Sequence, residues 1–332
     1  MSSFKIVITD FGDPSHELEE AELRASGLDY ELVRLNTRSA DELMPHVVDA
    51  DALIVQWASI SRPLIESMQK CRVISRYGIG VDMVDLEAAS ERGIPVCNVP
   101  DYCIDEVSTH TIAFVLALNR RLFAQTAHVA SGKWGGAPGG MPARLNLQSM
   151  GVLGLGRIGR EVARKAQGMG LKVLAFDPYL QPDQAQGLGV ELVGLDDLLR
   201  RADYLSIHCP LTKETRHLIG AAQLALMKPT AFLINMARGP VVDQPALYQA
   251  LVNGVIAGAA ADVLEQEPPD PNDPLLKLPN MMVTPHSSSA STESVVQLRQ
   301  DVARNVVRVL RGDAPRAVVN PQALNKAVGN HN

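Results

Sequence analysis

Ser149-Met150-Gly151-Val152-Leu153-Gly154-Leu155-Gly156-Arg157-Ile158-Gly159 passes from an apolar β pattern directly into three glycines spaced G-x-G-x-x-G. A helical pattern follows. The stretch reads as strand, tight turn and helix start. Gly154 permits the turn, and Gly156 lets backbone approach a pyrophosphate. Gly159 lets the helix pack closely on the strand, and the helix N-terminus then presents free amides to the anion. Three glycines alone can also simply turn a corner. Here the next apolar run, Lys172-Val173-Leu174-Ala175-Phe176, ends in Asp177, eighteen residues after Gly159. That is close to the spacing of the acid that binds an adenosine ribose in dinucleotide folds. Asp177 could instead be a turn residue before Pro178. The complete unit of strand, loop, helix, strand and acid favours a dinucleotide, and a carboxylate at that point repels a 2′-phosphate. The expected cofactor is NAD rather than NADP.

On both sides of this unit the chain alternates short β-branched runs with helical patterns. Before it, strands are expected at 5–9, 30–35, 52–56, 72–77 and 95–99, with helices at 16–26, 40–50, 63–70 and 83–92 between them. After it, strands are expected at 150–154, 172–177, 204–209, 231–236, 256–263 and 281–285. Helices at 159–169, 196–202, 221–227 and 245–253 connect several of these. Such alternation implies parallel sheets with right-handed crossovers, an α/β doubly wound architecture. A long apolar helix, 105–129, separates the two series and ends in the breaker-rich stretch 132–140. A last helix, 293–311, carries Val295, Val296, Leu298, Val302, Val306, Val307 and Leu310 largely on one face. It is long enough to reach back across a domain boundary.

At 332 residues the chain is longer than one ordinary core supports, so two domains are expected. Hydrophobic residues at 46% and charged residues at 20% are ordinary for a globular protein and exclude a disordered or fibrous one. Lys+Arg 31 against Asp+Glu 37 leaves a net charge of −6, so no global basic field would attract nucleic acid or an anionic membrane. The cysteines at 71, 97, 103 and 209 form no CxxC pair and no close Cys/His cluster. Neither a disulfide scaffold nor a metal site is expected. The N-terminus reads as a first strand, not a signal peptide, and no run of eighteen apolar residues occurs. The expected location is the cytoplasm, with reduced thiols.

Three later strand ends carry polar residues that apolar packing does not explain. Phe232-Leu233-Ile234-Asn235-Met236 runs into Ala237-Arg238-Gly239. The 256–263 strand reaches Asp262 and is followed by Leu264-Glu265-Gln266-Glu267. Met281-Met282-Val283-Thr284 ends in Pro285-His286. Ligands of doubly wound sheets lie outside the carboxyl ends of the strands, so these groups can converge on one crevice. Singly, Arg238 could be a surface charge, Glu267 a solvated acid and His286 a helix-cap residue.

Arg76-Tyr77-Gly78-Ile79-Gly80-Val81-Asp82, the 93–100 run Gly-Ile-Pro-Val-Cys-Asn-Val-Pro, the 154–159 glycine motif, His208-Cys209-Pro210-Leu211-Thr212, Asn235–Gly239, the 262–268 run Asp-Val-Leu-Glu-Gln-Glu-Pro and Thr284-Pro285-His286 together resemble the D-isomer-specific 2-hydroxyacid dehydrogenases. The resemblance covers nearly the whole chain, in order, and lies nearest the branch of phosphoglycerate dehydrogenase and C-terminal binding protein. It implies an NAD-binding Rossmann domain (104–287) inserted into a flavodoxin-like substrate domain (1–103 with 288–332). It implies Arg238 on the substrate carboxylate and carbonyl, His286 as proton donor and acceptor, and Glu267 as its carboxylate partner. Asp262 would contact the nicotinamide amide. Arg157 and Ile158 would lie against the pyrophosphate, with Cys209, Pro210, Thr215, Met236 and Ala237 along the cofactor channel. The backbone of Gly78, Ile79 and Gly80 would hold the substrate carboxylate. A homodimer built on the cofactor domains is also implied, using the 105–129 helix and the Trp134 loop. Ile112, Phe114, Val115, Leu116 and Leu118 make that helix apolar enough to need a partner, unless they are buried within one chain.

The chain also departs from the family pattern. Gln56-Trp57 stands where relatives carry an Arg-Ser pair, an arginine that in phosphoglycerate dehydrogenase helps bind phosphate. Met83 replaces a usual Asn, Thr109 a usual acid, and Ser287-Ser288-Ser289 a usual Gly or Ala. The missing arginine points away from a phosphorylated substrate, while the other three changes line or support the crevice and leave the acid open; a small 2-keto acid such as glyoxylate or hydroxypyruvate is the expectation. Two function classes follow. One is an NAD-dependent oxidoreductase acting at C2 of a hydroxy acid. The other is an NAD(H)-responsive protein-binding module, whose branch carries the same Arg, Glu and His.

Overall fold

The computed structural model of the chain describes residues 3–12 and 15–327. It divides into two compact units, Met1–Tyr102 with Ser291–Asn332, and Cys103–Ala290.

In the first unit β1 (Phe4–Ile8), β2 (Tyr30–Arg34), β3 (Ala52–Val55), β4 (Val73–Arg76) and β5 (Val96–Cys97) form one parallel sheet in the order β2-β1-β3-β4-β5. Parallel neighbours need crossovers, and helices Glu17–Ala25, Ala40–Val47, Arg62–Ser67 and Leu86–Glu91 supply them. Helices on both faces explain why Ile6–Ile8 and Ala52–Val55 are apolar without alternation. Helix Thr292–Leu310 then adds Leu298, Val302, Val306 and Leu310, one buried residue every four, to the core of Ile6, Ile54 and Val73. Each such side chain contributes about 2 kcal/mol on burial. Val296, assigned from the sequence to the same face, is exposed. The helix also carries Arg299, which holds the fully buried Glu19 at 2.7 Å, while the Tyr77 hydroxyl donates to the same carboxylate at 3.0 Å. Burial pushes the Tyr77 hydroxyl pKa up, so the group stays a donor.

In the second unit β6 (Ser149–Leu153), β7 (Lys172–Phe176), β8 (Glu191–Leu192), β9 (Tyr204–Ile207), β10 (Phe232–Asn235), β11 (Gly258–Ala261) and β12 (Met281–Val283) pair in the parallel order β12-β11-β10-β9-β6-β7-β8. The order reverses between β6 and β9, the place where doubly wound sheets open a crevice at their carboxyl ends. Sequence reasoning misses β8, only two residues long, and draws β11 too long at both ends.

The expected 105–129 helix is two helices. Ile104–Arg120 and Leu122–Ala130 meet at Arg121, whose φ of 55° ends the first. No Gly or Pro marks the break. Arg121 instead lays its guanidinium over the Phe232 ring, 4.8 Å from the centroid, so a tertiary contact sets the backbone. Of the residues expected to seek a partner, Phe114, Val115 and Leu118 are buried inside their own unit. The apolar surface lies further on, at Leu122, Phe123, Val129, Trp134, Met141 and Leu147. No helix among the described residues is long and apolar enough to cross a membrane.

Candidate active site

Along the carboxyl edge of the second sheet the chain delivers its expected site residues strand by strand. After β6 the glycine turn does what its spacing required. Gly154 has φ 93°, and a Cβ there would stand 2.7 Å from the Cys209 nitrogen. A Cβ on Gly159 would stand 2.1 Å from the Gly154 carbonyl oxygen. Only glycine allows either approach. At Gly156 a Cβ would meet nothing within 4 Å. Gly156 caps helix Arg157–Gly168 without a side-chain acceptor, so the first helical amides, Arg157 and Ile158 among them, face the space above that glycine. The helix packs back on the sheet through Gly159, Val162, Ala163 and Ala166.

Asp177, at the end of β7, accepts the Leu155 N–H on Oδ2 at 2.8 Å and the Tyr179 N–H on Oδ1 at 3.0 Å. Its carboxylate is thereby fixed beside the glycine turn. An open glycine, an uncapped helix start and an oriented carboxylate together fit a dinucleotide. After β9, Thr215 Oγ1 donates to the Pro210 carbonyl at 2.6 Å and accepts the Thr212 N–H at 2.7 Å, which closes the 210–215 loop. Burial pushes the Cys209 thiol up to about 11, leaving a neutral lining group. His208, just before it, is driven by burial down to about 3 and stays uncharged at neutral pH.

The chemistry-bearing groups follow β10, β11 and β12, three consecutive neighbours. After β10 the Asn235 amide bridges the turn, its Oδ1 accepting the Ala237 N–H at 3.1 Å and its Nδ2 donating to the Arg238 carbonyl at 3.0 Å. Met236 is buried and Ala237 half-buried, and Arg238 Nη1 donates to the Ala237 carbonyl at 2.8 Å. At Gly239 a Cβ would fall 1.9 Å from the Leu264 carbonyl carbon, so the Arg238 turn rests directly on the backbone of the 264–267 loop. In that loop Glu267 accepts the Leu264 N–H on Oε1 at 2.9 Å and meets His286 Nδ1 through Oε2 at 2.6 Å.

His286 itself has φ 51°, a region few side chains occupy. Its mount explains how the turn is kept. The His286 N–H donates to the Asp262 and Thr284 carbonyls, each at 2.9 Å. The Asp262 carboxylate, 2% exposed, accepts the Thr284 hydroxyl at 2.5 Å and the Ser287 and Ser288 N–H groups at 2.9 Å. The resemblance assigned Asp262 to the nicotinamide amide. Here both of its oxygens are directed at the turn that presents the imidazole. Ser287 and Ser288 need only their backbone for this, which explains how Ser can stand there where relatives carry Gly or Ala. His110 adds a contact to the Thr284 hydroxyl at 3.2 Å.

Sequence reasoning had named Arg238, Glu267 and His286, and the fold brings Glu267 and His286 into contact with the Arg238 turn against their loop. Sequence reasoning does not reach the supporting roles of Asn235, Gly239 and Thr284; a polar residue at a strand end is the available signal for Asn235 and Thr284, and Gly239 carries none. Gly78, Ile79 and Gly80 belong to the first unit, directly after β4. Gly78 has φ 134°, and a Cβ there would collide with the Arg76 guanidinium. In the same unit the backbone N–H of Trp57 donates to Asp10 at 2.8 Å, and the guanidiniums of Arg38 and Arg76 lie over the indole, 5.8 and 5.4 Å from its centroid. The ring is thus held by packing within its own unit. Thr109 is bound by Lys165 Nζ at 2.7 Å, a contact inside the second unit. Among the described residues no cluster of three or more His, Cys, Asp or Glu is placed to hold a metal ion.

Residues 112–288 match the family model described as D-isomer specific 2-hydroxyacid dehydrogenase, NAD binding domain. The chain is 40% identical over 318 residues to a D-3-phosphoglycerate dehydrogenase of Methanocaldococcus jannaschii, which covers 95% of this chain and 59% of that protein. It is 41% identical over 286 residues to a glyoxylate reductase of Korarchaeum cryptofilum, covering 85% of this chain and 86% of that one. Among solved structures, a D-lactate dehydrogenase from Aquifex aeolicus complexed with NAD and lactic acid superposes with a TM-score of 0.85 at 29% identity, over 95% of this chain and 99% of the other.

Proposed function

Because the chain belongs to the D-isomer-specific 2-hydroxyacid dehydrogenase family and carries its NAD-binding domain, we propose that it interconverts a small 2-keto acid and its D-2-hydroxy acid with NAD. The observation that carries this reading is the Glu267–His286 contact at 2.6 Å on a loop that also supports the Arg238 turn. Bound NADH would supply the hydride that reduces C2.

The chain's own residues do the rest. Reduction leaves charge developing on the carbonyl oxygen, which needs a fixed cation and a proton donor. Arg238 is permanently charged, and its planar fork suits a carboxylate while it polarises the adjacent carbonyl. His286 Nδ1 is engaged by Glu267, so Nε2 hands over the proton. A carboxylate on the far nitrogen fixes the ring. Asp262 and Thr284 act through the turn they brace. The glycine turn with Arg157 and Ile158 holds the pyrophosphate, Asp177 the adenosine ribose, and Cys209, Pro210, Thr215, Met236 and Ala237 line the remaining channel. The Gly78, Ile79 and Gly80 backbone in the first unit serves the substrate carboxylate.

Glyoxylate or hydroxypyruvate is the proposed substrate, supported by the names of several relatives and by Gln56-Trp57 in place of a phosphate-binding arginine. The exposed apolar residues from Leu122 to Leu147 support a homodimer through the cofactor unit. NADH oxidation against a panel of 2-keto acids tests the function. Turnover of one of these acids is expected, with His286→Ala losing on the order of 10²- to 10⁴-fold in kcat while NADH still binds. Tight NADH binding with no acid reduced would overturn the enzyme reading in favour of a protein-binding module.

A further inference from the structure

The loop that carries Glu267 has a second acid and a second histidine. Glu265 Oε1 lies 2.6 Å from His217 Nε2. His217 sits on a loop of its own with φ 53°, again in the left-handed region, and its N–H donates to the Pro240 carbonyl at 2.8 Å. Pro240 is two residues after Arg238 and Glu265 two before Glu267. Through its backbone His217 therefore holds the turn that presents Arg238, and through its imidazole it holds the loop that presents Glu267. Gln244 is another neighbour of that loop, its backbone N–H reaching Glu265 Oε1 at 3.5 Å. Glu265 N–H donates to Gln244 Oε1 at 3.1 Å, and Gly239 presses on Leu264.

We propose that His217 and Glu265 are a positioning pair that keeps Glu267 seated on His286. This rests on the functional reading above and extends it to residues outside the reacting groups. Losing the imidazole leaves the backbone bond to Pro240 in place but leaves the Glu265 carboxylate, among the described residues, with only the long 3.5 Å bond from the Gln244 N–H. The consequence belongs to the proton-transfer step, because the loop released is the one that carries Glu267, whereas the glycine turn and Asp177 follow β6 and β7.

Asn tolerates a positive φ but is too short to reach Glu265, so His217→Asn breaks the pair while leaving the backbone unstrained. In His217→Gln the side-chain nitrogen is the same number of bonds from Cα as Nε2. For His217→Asn and Glu265→Gln, kcat for keto-acid reduction is expected to fall about tenfold, with KM within about twofold and NADH affinity unchanged. The double variant should fall no further than either single one, and His217→Gln should recover most of the loss. Equal kcat in wild type and variants, losses that multiply in the double, or a KM rise with unchanged kcat would overturn the pair. Amide exchange of residues 264–267 in the NADH-bound protein separates this from failure of the functional reading. It should quicken in His217→Asn even if no keto acid is turned over, and unchanged protection there would sink the proposal by itself.

Discussion

Glu267 is the residue on which the proposed proton chemistry turns, because one carboxylate does two jobs. One oxygen takes the Leu264 N–H and the other takes His286 Nδ1. Replacing it with Gln keeps the shape and an acceptor but removes the charge. Glu267→Gln should bind NADH normally and lower kcat for keto-acid reduction at least about tenfold, since the neutral amide no longer holds the imidazole as the carboxylate does. Steady-state rates and NADH titration check this, and an unchanged kcat removes Glu267 from the role. Glu267 and His286 were legible as types at strand ends, and their roles came from the family pattern. The work of Asp262 was not legible. It depends on the N–H groups of Ser287 and Ser288, which any residue possesses and no side-chain pattern advertises. The pairing of His217 with Glu265 was hidden for a similar reason, as two loops meet only once the sheet has ordered them.

At the scale of elements, the passage from β6 into helix Arg157–Gly168 was the most readable part of the chain, because each glycine answers a local steric demand. It also supplies a matched pair of variants. In Gly156→Ala the new methyl meets nothing within 4 Å, at a φ of −70° that alanine adopts freely. The fold should be unaffected and NADH affinity should drop tenfold or more, because the methyl occupies the approach to the helix amides. In Gly159→Ala the methyl meets the Gly154 carbonyl oxygen at 2.1 Å, so helix and strand must separate. Thermal melting should fall by several degrees with or without cofactor. Calorimetric melts and NADH titration of both variants check the contrast, and a melting loss in Gly156→Ala would contradict it. The break at Arg121 shows where such local reading stops. Helix propensity carried the pattern through 121, and a cation stacked on Phe232, distant in sequence, ended it.

For the whole molecule, the exposed Leu122, Phe123, Trp134, Met141 and Leu147 form the test of assembly. Sedimentation should give a dimer at micromolar concentration, and Phe123→Lys with Trp134→Glu should shift it to monomer without unfolding it. A wild-type monomer at every concentration would refute the dimer. The two parallel sheets were readable from the alternation of strand and helix patterns, and their strand order from nothing in the chain. Register and order emerge from which crossovers pack, a property of the folded sheet alone.

The first unit is assembled from both ends of the chain. Helix Thr292–Leu310 closes its core, and Asn320 takes the Val96 N–H at 2.7 Å while donating to Ile94 and Ser90. On the ribosome, then, the earliest strands emerge first yet wait until the whole of the second unit has been translated before their covering helix exists. A nascent chain of this kind finishes its middle before its beginning, and the interval is when Ile6, Ile54 and Val73 are most open to chaperones or to aggregation.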